Sequence, residues 1–167
     1  MRRRYISMVV VVFALWGLGA SGAQSGRTSG PVLFTPQDAE GLRLTEEEWT
    51  EPTRSREISV GPRIVFQMPQ VREAAQGPML ETSTPMDLLV AFEARGAAVD
   101  MQSLRVQACR GPFCRSLTET LRPYIRETRV EAKNVQVPEG RFAIKIDITD
   151  LQGRKTSEAY RLEVRGR

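Results

Sequence analysis

Cys109 and Cys114 are the only cysteines in this sequence of 167 residues, which contains no histidine. The missing imidazole excludes Ser-His-Asp and Cys-His machinery and any histidine metal ligand. The two cysteines stand in Cys109-Arg110-Gly111-Pro112-Phe113-Cys114. That spacing is wider than the gap of thioredoxin-like redox pairs, and two thiolates alone cannot complete a structural zinc site. Gly111-Pro112 is a turn signal, and the residues before it alternate as a strand does. The pair is therefore predicted to close as a disulfide across the mouth of a hairpin. So short a loop gives less than the ~2–4 kcal/mol usual for a disulfide.

The carboxylates offer less. Asp147, Asp150 and Glu158 are too few for calcium, which takes roughly six to eight oxygen ligands. Asp147 is expected to face solvent on a strand and Asp150 to begin a turn. Glu81, Glu119 and Asp100 are acids of the type that hydrolyse glycosides, but no spacing sets two of them across a cleft. No Ser-x-x-Lys occurs. No catalytic, cofactor or metal site is predicted, because no activated constellation can be assembled.

Arginine is the remaining candidate. Arg105, Arg110, Arg115, Arg122, Arg126 and Arg129 face only Glu119 and Glu127 between residues 101 and 130, a local net charge of +4. Gathered on one surface they would attract an acidic glycan, a lipid headgroup, an acidic protein face or the acidic segment of the same chain. Scattered, they are simply the basic residue this chain uses. The whole-chain charge of +4 falls to about +1 once Arg2, Arg3 and Arg4 are set aside, so nucleic acid is not an expected partner.

Those three arginines open a targeting segment. A basic start, an apolar run from Ile6 to Ala20 and small residues at Ser21 and Ala23 read as a signal peptide over 1–23, cleaved after Ala23. The run is shorter than the roughly 20 residues a membrane anchor needs, so no transmembrane segment is expected after cleavage. Export, to the periplasm or beyond the cell, also favours the disulfide. Residues 24–60 are Ser/Gly-rich at first and then acidic, with four basic against seven acidic residues. They are predicted to be a flexible, largely irregular tether with one turn of helix, opened by Thr35-Pro36-Gln37-Asp38.

From about residue 61 the apolar residues recur every second position, the signature of half-buried strands. Ile64, Phe66 and Met68 mark one strand; Met86, Leu88, Val90 and Phe92 another; Leu104, Val106 and Ala108 a third. Phe142, Ile144, Ile146 and Ile148, then Tyr160, Leu162 and Val164, complete the set. Between them Val130 and Ala132 are out of phase with Val135 and Val137, which predicts a bulge or a change of sheet at Lys133-Asn134. Ser116-Leu117-Thr118-Glu119 fits a capping box for one short helical insert, with Leu117 and Leu121 on a shared face and Pro123 as its stop. Such a pattern over 61–167 predicts an all-β domain of two antiparallel sheets packed face to face, with a closed barrel as the alternative.

Two stretches within that domain resemble bacterial immunoglobulin-like domains of the fibronectin III type. Val99-Asp100-Met101-Gln102-Ser103-Leu104-Arg105-Val106 is similar to their approach to a hairpin. Val137-Pro138-Glu139-Gly140, the strand after it and Asp150-Leu151-Gln152-Gly153-Arg154 are similar to their later strand and turn. The inter-sheet disulfide and core tryptophan of antibody domains are absent, and the hairpin carries its own cysteine pair instead. The resemblance implies an immunoglobulin-like β-sandwich that serves as an adhesive, spacer or accessory module. The expected function is non-catalytic: binding another envelope or secreted protein, or supporting a cell-envelope assembly. The alternative is binding of an anionic glycan or lipid through the arginines. Mass spectrometry of the exported protein is expected to find Gln24 at its N-terminus; retention of Met1 would contradict the reading of residues 1–23.

Overall fold

The computed structural model describes residues 30–52 and 59–166. The expected signal peptide lies outside the described residues. Two short helices come first, α1 (Pro36–Leu42) and α2 (Glu46–Thr50). The strands are β1 (Arg63–Met68), β2 (Val71–Ala74), β3 (Gly77–Ser83), β4 (Met86–Glu93), β5 (Val99–Arg110), β6 (Phe113–Ser116), β7 (Ile125–Arg126), β8 (Arg129–Val135), β9 (Gly140–Asp150) and β10 (Lys155–Arg165). Helix α3 (Thr118–Leu121) and a 3-10 turn at Arg122–Tyr124 sit between β6 and β7.

Alternation drives the strands into two sheets, ordered β1-β4-β8-β7 and β2-β3-β10-β9-β5-β6. This is a β-sandwich. Each sheet presents one apolar face, and those faces meet: Met86, Leu88, Val90, Phe92, Val130 and Ala132 from the smaller sheet against Val106, Phe142, Ile144, Ile146 and Leu162 from the larger. Among the described residues the strand pairings are antiparallel except β3 with β10, which runs parallel, as does the isolated bridge of Val32 with Gln136. The β2–β3 hairpin and that parallel pair were not foreseen, because residues 71–83 lack clean two-residue alternation.

The phase slip in β8 is a bulge. Met86 pairs with Val135 and Leu88 with Ala132, so two steps on β4 match three on β8. Asn134 absorbs the extra residue at φ 53° while its N–H donates to the Asp87 carboxylate. Val130, Ala132 and Val135 thereby all turn inward.

The two motifs that carried the resemblance are backbone braces. Between Asp100 and Arg105, β5 advances five residues while β9 advances two, from Thr149 to Asp147. Asp100 Oδ1 accepts from the Gln102 N–H, while Ser103 Oγ donates to the Asp100 carbonyl and accepts from the Thr149 N–H. Asp150 does begin a turn: its carboxylate accepts from the N–H groups of Gln152 and Arg154 and from the Arg154 guanidinium. Gly153, at φ 78°, makes that turn possible.

The expected capping box at Ser116 does not form. The N-cap of α3 is Leu117, without a side-chain cap, and Glu119 pairs with Arg122 at 2.8 Å instead. Thr118 explains this, since its hydroxyl accepts from the Val106 N–H and ties the helix to β5. Leu117 and Leu121 are both buried, as their shared face predicted.

The largest difference concerns the segment expected to be a tether. Residues 30–52 form a strap packed on the sandwich. Thr35 and Asp38 cap α1 reciprocally with Pro36 in its first turn, and Thr45 and Glu48 do the same for α2. Leu33, Phe34, Ala39 and Leu42 join the core, and the Phe34 ring meets Phe142 edge-on at 4.9 Å. Val32 pairs with Gln136, close enough that a Cβ on Gly30 would lie 2.1 Å from the Lys133 carbonyl oxygen. An acidic composition concealed a short apolar anchor. Phe34→Ala is expected to cost about 3–5 kcal/mol in chemical denaturation; a cost near zero would show that the strap is not part of the core.

Candidate functional site

At one end of the sandwich β5 and β6 form a hairpin with a two-residue turn. Arg110 pairs with Phe113 across Gly111-Pro112, and Gly111 takes φ 55°, the positive value a tight hairpin of this class needs at its first turn position. One step back, Cys109 and Cys114 are direct cross-strand partners with Cα atoms 4.1 Å apart, and they are disulfide-bonded as predicted. The bond locks the register of the two strands. Beyond it Phe113 stands 74% exposed, the most exposed large apolar side chain among the described residues.

The acidic strap braces this hairpin. Arg110 Nε donates to both oxygens of Glu48, at 3.1 and 3.0 Å, and Arg115 pairs with Asp38 at 3.0 Å. Glu48 is held below the usual carboxylate range by the Thr45 N–H first and Arg110 second, and Asp38 by its bonds with Thr35 and then by Arg115. Helix α2 itself lies on the outer face of the larger sheet. There Trp49, buried, has the guanidinium carbons of Arg141 and Arg161 5.1 and 5.5 Å from its ring centroid. Arg141 also pairs with Glu46 and Glu163. Arg161, only 7% exposed, donates to the carbonyls of Glu48 at 2.7 Å and Glu51 at 2.5 Å, satisfying the C-terminal end of α2. Burial pulls its pKa down, with Glu51 and Glu48 opposing.

Three of the six arginines are engaged by carboxylates of this chain. Arg110 and Arg115 hold the strap, while Arg122 is paired with Glu119. Arg105 lies opposite Asp147 in register. Arg126 donates to the carbonyls of Pro123 and Ile125 and pairs in register with Arg129 on the smaller sheet. Asp147 is a correction: it is buried, not solvent-facing, because Lys145 and Lys155 close over it at 3.7 and 2.9 Å. Burial alone would raise its pKa; the bond to Ser157 and the two lysines outweigh that and lower it.

Among the described residues, no group of three or more His, Cys, Asp or Glu side chains is placed to hold a metal ion. Between the sheets lies a cavity of about 40 Å³ lined by apolar side chains such as Phe66, Leu88, Val106 and Ile144, with no polar group to orient a substrate. No helix among the described residues is long and apolar enough to cross a membrane. Phe113, Trp49, Arg141 and Arg161 escaped the sequence reading. The second Thr-x-x-Glu box, with a lone tryptophan beside it, was the signal for α2.

No protein-family model matches the chain, and no curated protein does. Among solved structures it is similar to murine CRIg, at 8% identity over 63% of this chain and 98% of that one, with a TM-score of 0.36. A likeness of that size carries no functional argument, and the sandwich rests on the sheets themselves.

Because Asp38 and Glu48 have lowered pKa values, their contribution to holding the strap is complete above the ordinary values of 3.8 and 4.5 and is lost as pH falls through the folded ones. Trp49 emission is expected to stay constant from neutral pH to about the ordinary carboxylate range and to shift red below it. A transition near neutrality would contradict this.

Proposed function

We propose that the chain is an exported, non-catalytic immunoglobulin-like module that binds another envelope or secreted protein, as a partner-binding subunit or as accessory support of a cell-envelope assembly. The observation that carries this reading is Phe113, 74% exposed on a disulfide-stapled turn. An exposed aromatic ring on an immobile backbone is the type of group that anchors protein interfaces, since little freedom is left to lose on binding. The cavity between the sheets is lined by apolar side chains and offers no group for acid–base chemistry there. Binding of an anionic glycan or lipid ranks second, because Arg110, Arg115 and Arg122 already face carboxylates of this chain.

The test replaces Phe113 with a photo-crosslinking amino acid in cells that make the protein natively. One defined protein adduct is expected. Moving the crosslinker to Leu151, exposed on the β9–β10 turn at the other end of the sandwich, is expected to abolish it. No adduct at position 113, or the same adducts from both positions, would sink the proposal.

A further inference from the structure

The stapled hairpin ends the larger sheet, with β6 as its outermost strand. All four residues of β6 are exposed. In an antiparallel hairpin with a two-residue turn, the pair flanking the turn exchanges both backbone hydrogen bonds, and the bonding then alternates along the strand. Arg110 and Phe113 are that flanking pair. Phe113 and Arg115 therefore bond inward to β5, and the Leu117 N–H, donating to the Val106 carbonyl at 2.8 Å, keeps the same phase. Cys114 and Ser116 are left with their N–H and C=O groups directed away from β5, along an uncovered edge.

We propose that this edge receives an extended segment of a partner protein by strand addition, with carboxylates and apolar residues alternating along that segment. The inference rests on the protein-binding reading and specifies how the same site would bind. Backbone groups of Cys114 and Ser116 supply the ladder, while Phe113 and Arg115 supply selectivity as neighbours on one face. Arg115, half-exposed beside Asp38, retains donors for a second carboxylate. The arginine also argues against a second copy: a two-fold pairing centred on residue 115 would set Arg115 opposite its own counterpart, and like charges directly opposite each other destabilise a ladder. The other sheet edges are less suited. β7 has two residues, β2 is half-buried at both ends, and β1 is irregular between Phe66 and Met68. The disulfide keeps β6 from sliding on β5, so the open edge has one register.

The probe is a blocked eight-residue peptide of alternating valine and glutamate, titrated into the isotope-labelled, disulfide-intact chain and followed by NMR. The amides of Cys114 and Ser116 are expected to shift and gain exchange protection; those of Phe113 and Arg115, already bonded to β5, stay protected throughout. A valine–lysine peptide of the same length is expected to bind at least about tenfold more weakly. Ser116→Pro removes the outward N–H together with the Oγ that accepts from the Thr118 N–H and is expected to abolish binding, whereas Ser116→Ala loses the same Oγ but keeps the N–H and the binding. Unchanged shifts at Cys114 and Ser116, or equal binding of the lysine peptide, would overturn strand addition. Such a result would leave standing a protein adduct at residue 113, so the two readings fail separately. Should Ser116→Pro not fold, the wild-type shifts and the peptide comparison still decide.

Discussion

The buried guanidinium of Arg161 is the contact on which the N-terminal strap depends. A charge this enclosed needs partners for its donors. Here the carbonyls of Glu48 and Glu51 accept from its two terminal nitrogens and the Trp49 ring covers it, while its Nε is buried without an acceptor. A helix of five residues has no independent stability. Helix α2 exists because Thr45 and Glu48 satisfy its first turn, Arg161 satisfies its last, and Trp49 is buried against the guanidinium groups of Arg141 and Arg161. The dependence is mutual. Without α2 the same sheet face would expose Arg161 and Arg141 around an unfilled shelf.

The strap links the sandwich core to the hairpin. Phe34 fixes its start against Phe142 between the sheets, Trp49 fixes its end on the outer face, and Asp38 and Glu48 reach the arginines on either side of the disulfide. The hairpin is thus held twice, covalently through Cys109–Cys114 and electrostatically through the strap. Three carboxylates and two carbonyls of residues 38–51 meet four arginines of the sheet in this way, Arg110, Arg115, Arg141 and Arg161. Arg110 and Arg115 are thus not free cations, because the strap carries their acidic counterparts. Phe113 remains outside this network, supported but uncovered.

Much of this was legible in the sequence. Two-residue alternation located the core strands, the slip at Lys133-Asn134 located the bulge, and Cys-x-x-x-x-Cys around Gly-Pro located the stapled turn. Asp100, Ser103 and Asp150 were visible as motif residues, and the structure supplies their reason: each bonds backbone that the sheet ladder leaves unpaired. What stayed hidden depends on contacts distant in sequence. Leu33, Phe34, Ala39 and Leu42 are too few to show a period amid polar neighbours, and only the sandwich makes them core. Asp147 reads as solvent-facing from alternation alone and is buried because two lysines cover it, and Arg161 is buried because α2 covers it. The parallel β3–β10 pair has no local signature at all.

The central claim, that residues 30–52 belong to the folded domain through Trp49 and Arg161, is tested most directly by nuclear Overhauser contacts in a chain lacking residues 1–23, where Trp49 is the sole tryptophan. The account requires contacts from the Trp49 indole protons to the side-chain methylenes of Arg141 and Arg161, with those methylenes shifted by the ring current. Random-coil shifts for Thr45 to Glu51, without contacts to β9 or β10, would contradict it.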